Sequence, residues 1–137
     1  MCVISADTAT VWKYLTDADL VTSWMSDDAE LVITSNWKQG GPIKIQGNLN
    51  GDPFVNEGII TRLDPEKLLR YEYQNSISLK HYGVEKHDVV EFRLTPGGSG
   101  TNLQLFCETG YTEIEEKHLR LYWGATLNLL KQKVEAR

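Results

Sequence analysis

Histidine is the side chain most often recruited for proton transfer or metal binding at neutral pH, and this sequence holds three: His81, His87 and His118. Their spacing fits no H-E-x-x-H pattern or comparable ligand set, so they read as solvated side chains, and no metal or cofactor is expected. Acyl-transfer chemistry would need a nucleophile on a forced turn, and no G-x-S-x-G occurs. Gly40-Gly41 lacks the G-x-x-x-x-G-K-[ST] frame and is followed by Pro42, which supplies no N–H to a phosphate, so a hairpin turn explains it. Cys2 and Cys107 are far apart, with no C-x-x-C. Two unlinked thiols are the expected state. Nothing in this inventory assigns a catalytic residue.

The chemistry that stands out is aromatic: Trp12, Trp24, Trp37, Phe54, Tyr71, Tyr73, Phe92, Tyr122 and Trp123. Aromatic rings dominate ordinary cores, and Trp12, Phe92 and Trp123 read that way. Tyr71, Tyr73 and Tyr122 differ because each carries a polar tip that needs a partner when buried. Facing one another across a gap, they would form an apolar pocket with a few donors. With Thr126 and the ring of Phe54 they suit a small hydrophobic, aromatic or lipid-like ligand. Trp24, Tyr73 and Tyr122 are expected to line one cavity of roughly 300 Å³ or more, their tips met by water or ligand. Between Phe54 and Leu63 two phases are open. If Val55, Ile59 and Leu63 point inward, Glu57 enters the cavity; if Phe54 and Ile60 do, Arg62 enters; solvated charges on the strand are the commoner case. An inward charge would be the group that captures a polar ligand atom, since an unpaired buried charge is costly.

These side chains need elements to position them. The dominant one runs from Thr112 to about Ala136. Thr112-Glu113-Ile114-Glu115 is a T-x-x-E capping box, and Leu119, Tyr122, Trp123, Thr126, Leu127, Leu130 and Val134 then fall on one helical stripe. Such a helix is roughly 37 Å long, about the diameter of a compact domain of this size. Gly124 lies off the stripe at mid-helix, where glycine costs about 1 kcal/mol relative to alanine. Near the N-terminus, Asp7 and Asp17 are placed to cap two short helices carrying Val11, Trp12 and Leu15, then Leu20, Val21 and Trp24. Between these and the long helix, strand-like segments follow one another: Ala29–Thr34, Ile43–Gly47, Phe54–Leu63, Leu69–Gln74, and two more around Val90–Leu94 and Leu103–Cys107. Asn50-Gly51 and Pro96-Gly97-Gly98-Ser99-Gly100 mark hairpins. The connection from Asn75 to His87 is longer and is expected to lie, mobile, at a cavity mouth. A short strand at Cys2–Ser5 leads the chain. A sheet with one apolar face and a helix with one apolar stripe have a single economical arrangement: the sheet curls around the helix.

Composition narrows the function classes. At 137 residues, 41% hydrophobic and 24% charged, the chain is expected to form one domain over residues 1–137. A net charge of −5 with no run of Lys or Arg excludes the electrostatic footprint of a nucleic-acid binder. No stretch is long and apolar enough for a membrane span, and a cytoplasmic location is expected.

The element order, with T-V-W-K-Y-L-T-D-A-D-L-V-T-S-W, S-N-W-K-Q-G-G-P-I-K-I, G-I-I-T-R-L-D-P-E-K-L-L-R-Y and W-G-A-T-L-N-L-L-K, resembles the START-like (SRPBCC, helix-grip) superfamily. Within it the chain is most similar to homologues of the activator of the heat-shock protein ninety ATPase, over essentially its whole length. The resemblance implies an α+β fold, a seven-stranded curved antiparallel sheet gripping the C-terminal helix with two short helices after the first strand. It also implies a cavity holding an apolar ligand in many members, and it favours the phase that turns Arg62 inward. The expected ligand site comprises Trp24, Phe54, Arg62, Tyr71, Tyr73, Phe92, Tyr122, Trp123 and Thr126, with no catalytic residue, and a monomer or homodimer is expected. The superfamily also holds chaperone activators, which bind a protein partner, and aromatic-polyketide cyclases, so the fold alone does not choose among ligand carrier, chaperone co-factor and enzyme.

Overall fold

Strand alternation carries most of the chain into one sheet. The computed structural model describes residues 2–25, 32–49, 52–74, 87–108 and 113–136, with the side chains at 25, 49, 52, 87, 108 and 113–123 outside that set. The described strands are β1 (Cys2–Ile4), β2 (Val32–Ser35), β3 (Pro42–Leu49), β4 (Asp52–Asp64), β5 (Leu68–Gln74), β6 (His87–Gly97) and β7 (Gly100–Glu108). They form a seven-stranded sheet in the order β1-β7-β6-β5-β4-β3-β2. Every neighbouring pair is antiparallel. Gly98, between the paired ends Gly97 and Gly100, has φ +57°, the left-handed conformation that such a two-residue turn demands.

The helices follow their caps. Asp7 ends in a carboxylate that accepts from the Thr10 N–H at 2.8 Å and opens α1 (Thr8–Thr16). Asp17 accepts from Asp19 and Leu20 N–H at 3.0 and 3.3 Å and opens α2 (Ala18–Met25). Too short to be stable alone, both helices dock their apolar faces, burying Val11, Leu15, Val21 and Trp24 in the core. The long helix α3 (Glu113–Glu135) begins where the capping box places it and runs unbroken past Gly124.

Thr126, Leu130 and Val134, one turn apart along α3, are all buried, and the last two are wholly inaccessible. Leu130 and Val134 join the core formed by Ile45, Ile60, Leu69, Tyr71, Phe92 and Leu103 from the inner face of the sheet. The far end of α3 is tied to β1: Lys131 Nζ donates to the Val3 carbonyl at 2.8 Å, and Ser5 N–H donates to Glu135 at 3.3 Å. Thr101, in β7, donates to the Ala6 carbonyl at 2.7 Å and fixes the start of the helical bracket over the sheet.

One irregularity changes which residues face inward. From Pro42↔Ile59 back to Leu49↔Asp52, β3 and β4 pair without interruption. Between β4 and β5, however, Ile60 pairs with Tyr71 and Arg62 with Arg70, leaving Thr61 as an extra residue. This β-bulge reverses the inside-outside alternation for the rest of β4. Thr61 donates its hydroxyl to the Arg70 carbonyl at 3.3 Å. The Gly40-Gly41 turn pairs with the same place, Gly40 N–H to the Ile60 carbonyl at 2.7 Å and Ile60 N–H to the Gly41 carbonyl at 2.9 Å. Gln39 adds a side-chain oxygen that accepts from Leu63 N–H at 3.0 Å. The Gly-Gly step therefore serves the sheet, as the missing phosphate-loop frame indicates.

Gly124 is exposed, and a Cβ built there meets nothing within 4 Å. Gly124→Ala should raise unfolding stability by about 0.8–1 kcal/mol, the intrinsic helix-propensity difference. Urea unfolding checks this, and a lowered midpoint would mean that the position is kept clear for another reason.

Candidate functional site

The inner face changes character along the strands. At one end, register sets Leu63, Leu69, Phe92 and Leu105 side by side across β4 to β7; in the next row come Ile60, Tyr71, Val90 and Cys107. The third row holds Gly58, Tyr73 and Asp88, and one further step along β4 is Asn56. Aliphatic surface thus gives way to polar groups within three rows. Asp88 is 4% exposed and Asn56 8%, both buried where solvent cannot satisfy them.

Aromatic rings link these rows. Tyr71 stacks on Tyr73 with centroids 6.1 Å apart and lies tilted against Phe92 at 6.4 Å. Trp24, reaching in from α2, meets Phe92 edge-on at 6.4 Å and 88°. Such offset and T-shaped pairs are the favourable geometries for quadrupolar rings. Phe54, partly buried, packs at the edge of the same core. Thr126, on α3, is buried as well.

Several sequence expectations need correction. Arg62, expected inward, is exposed, because the bulge at Thr61 turns it outward beside Arg70. Glu57 is exposed as well, so neither charge enters; the inward phase belongs to Phe54, Asn56, Gly58 and Ile60. Trp24 was expected to keep its polar tip for water or ligand, yet its indole N–H donates to the Tyr14 carbonyl at 2.9 Å. Its ring is therefore committed to joining α1 and α2 above the sheet. The rings of Tyr71, Tyr73 and Phe92 do come together on the inner side. The side chains of Tyr122 and Trp123, and the expected mouth loop apart from its last residue, lie outside the described residues.

Asp88 and Asn56 were not singled out, although the alternation contains both. Stepping back by two from Leu94, Phe92 and Val90 arrives at Asp88, and stepping back from Ile60 arrives at Asn56. The charge at Asp88 reads as the end of a loop, and this hides its place in the inward series.

Cys107 lies on the same inner surface as a free thiol. Burial, assisted by the carboxylate of Asp88, pushes its pKa up to about 12. The pair sets the local electrostatics: negative charge is unwelcome near Asp88, and the thiol stays protonated. Among the described residues no group of His, Cys, Asp and Glu is arranged to hold a metal ion.

The model of the family described as "Activator of Hsp90 ATPase homolog 1-like protein" matches residues 5–135. The chain belongs to this family. In fold, the family member is similar to the crystal structure of protein CV1439 from Chromobacterium violaceum, with a TM-score of 0.82 at 21% identity over 98% of this chain and 93% of that one. It is also similar to the solution structure of ChR145 from Cytophaga hutchinsonii, with a TM-score of 0.79 at 25% identity over 98% and 90%. The solution structure of the Aha1 dimer from Colwellia psychrerythraea matches at a TM-score of 0.71 and 21% identity over 98% and 92%. No functionally curated protein matches the sequence. The α+β helix-grip architecture is thereby shown, and no helix of the described residues is long and apolar enough to cross a membrane.

Two outcomes follow from the geometry. A Cβ at Gly58 would fall on the Glu72 carbonyl oxygen and within 2.7 Å of Tyr73 Cα and Cβ. Gly58→Ala should therefore cost about 1–3 kcal/mol in urea unfolding, since backbone must shift to admit it; an unchanged midpoint would show that β4 and β5 are not so closely held. Cys107 should resist iodoacetamide in the native protein at pH 8, because only the thiolate reacts and its pKa is near 12. The raised folded value also predicts stability that is intact below the ordinary thiol pKa of 9.0 and falls as the pH climbs from there toward about 12. Rapid labelling of Cys107, read by peptide mass spectrometry, would contradict its placement.

Proposed function

We propose that this chain binds a small apolar or aromatic molecule between the inner face of the sheet and α3. The observation that carries this reading is the inner-face gradient from Leu69 and Phe92 through Tyr71 to Tyr73, Asp88 and Asn56. A surface serving only as core gains nothing from buried polar groups, each of which costs roughly 1–3 kcal/mol unless its hydrogen bonds are met. A mainly apolar wall with a few convergent polar atoms is the usual build of a small-molecule site. Tyr71, Tyr73, Phe92 and Thr126 supply the described wall, with Phe54 at its edge. Tyr122 and Trp123 belong to the same proposal on the strength of their positions in the helical stripe. Trp24 contributes by holding Phe92 in place, and Arg62 is left out because it faces away.

Titration of the 15N-labelled protein with 1-naphthalenemethanol tests the reading. Shifts should gather at Tyr71, Tyr73, Val90 and Thr126 and spare the outer-face residues Ile59, Arg93 and Phe106. Shifts confined to the outer face, or none at millimolar probe, would remove the ligand-binding reading. Native mass spectrometry of freshly purified protein should also find a co-purifying small molecule.

A second reading, contact with a protein partner such as a chaperone, has a separate basis. On the outer face Ile59 and Phe106 are 54% and 46% exposed. Arg93 bridges to Glu91 at 2.7 Å and lies 4.7 Å from the Phe106 ring, leaving an aromatic and charged surface open to a partner. The family description, which names activation of the Hsp90 ATPase, supports testing this directly. If it holds, adding the chain to Hsp90 should raise ATP turnover, and Phe106→Ser should reduce the effect.

A further inference from the structure

We propose that the ligand carries a hydrogen-bond-donating group, best a protonated amine, which is received by the carboxylate of Asp88 at the polar end of the inner face. The inference rests on the ligand-binding reading above and adds the chemical class.

Three observations lead to it. Asp88 pairs with Tyr73 across β5 and β6, and Tyr73 pairs with Gly58 across β4 and β5, so the carboxylate belongs to the inward row that ends the aromatic wall. Among the buried polar groups, Asn56, Thr101 and Thr126 are neutral and Glu91 faces the outer side with Arg70 and Arg93. That leaves Asp88 as the charged group of the inner face among the described residues. Its field reaches the inner surface, because its charge raises the proton affinity of Cys107 one row away.

The chemistry then selects the partner. An ionised carboxylate only accepts, and its two oxygens offer about four lone-pair sites. A ligand donor can therefore join whatever bonds Asp88 already makes, whereas a ligand carboxylate would meet like charge in a low-dielectric surface. Tyr73, in the same row as Asp88, is only partly buried. A flat apolar body lying on Tyr71 and Tyr73 would place a one-carbon amine arm over the neighbouring strand, about 5 Å away.

Isothermal titration with three probes of one shape tests this: 1-naphthylmethylamine, 1-naphthalenemethanol and 1-naphthoate. The wild-type protein should prefer the amine over the carboxylate by about tenfold or more, the size expected of a charge-assisted hydrogen bond. Asp88→Asn, with its fold checked by circular dichroism, should abolish the preference for the amine over the naphthoate. If Asp88→Asn fails to fold, the carboxyl 13C resonance of Asp88 in the wild type decides. It should move on adding the amine and move less on adding the alcohol. Equal affinity for the charged probes, preference for the naphthoate, an unchanged preference in Asp88→Asn or an unmoved Asp88 resonance would overturn the inference while leaving ligand binding intact. Failure of all three probes to bind would overturn the ligand-binding reading and the inference together.

Discussion

The structure depends on two apolar surfaces that can be covered only by each other. Leu130 and Val134 of α3 have no exposed area, and neither do Ile60, Leu69 and Leu103 of the sheet. Burying a side chain of this kind is worth about 1.5–3 kcal/mol, and no other described element presents a surface of comparable extent. The sheet must therefore curve around the helix, and curvature gives the inner face a rim as well as a centre. The centre is filled by branched aliphatic groups. Further along the strands the same alternation delivers Tyr73, Asp88 and Asn56.

Holding that arrangement takes devices at the margins. The bulge at Thr61 keeps two phases in one strand, so that Ile60 and Leu63 both pack inward while Arg62 stays in water. The turn at Gly40-Gly41 and the Gln39 side chain satisfy the backbone that the bulge disturbs. Within the same turn Trp37 has φ +53°, an uncommon conformation for a bulky residue, with its ring packed against the core. Its N–H donates to Ser35 Oγ at 3.0 Å, and Ser35 in turn donates to the Pro42 carbonyl at 2.7 Å, so neighbouring bonds hold the turn that carries it.

The two faces of the sheet treat buried carboxylates differently. On the outer side Glu91 sits between Arg93 at 2.7 Å and Arg70 at 3.9 Å, with Phe106 under the Arg93 guanidinium. That cluster is partly open to water, and such pairs contribute little to stability. On the inner side Asp88 lies at the boundary between aromatic wall and polar rim, where the lower dielectric strengthens any hydrogen bond it receives. The difference is one of position in the pleat, since Glu91 and Asp88 are three residues apart on β6 and so point to opposite faces.

Local chemistry in the sequence determined the elements: the Asp7 and Asp17 caps, the T-x-x-E start of α3, the alternation of β5 to β7 and the hairpin signals all act over a few residues and were readable there. The family resemblance was readable too, and with it the order of the strands. What only the tertiary structure decided was the facing of β4 beyond Ile60, because a bulge arises from pairing with β5 and from the turn that clasps it. The bond from Trp24 to Tyr14, between two different helices, was likewise beyond any periodicity. Asp88 shows the limit most plainly: the alternation contained it, yet a charge at the end of a strand gives no local sign of burial, and only the tertiary structure turned that position into the interior.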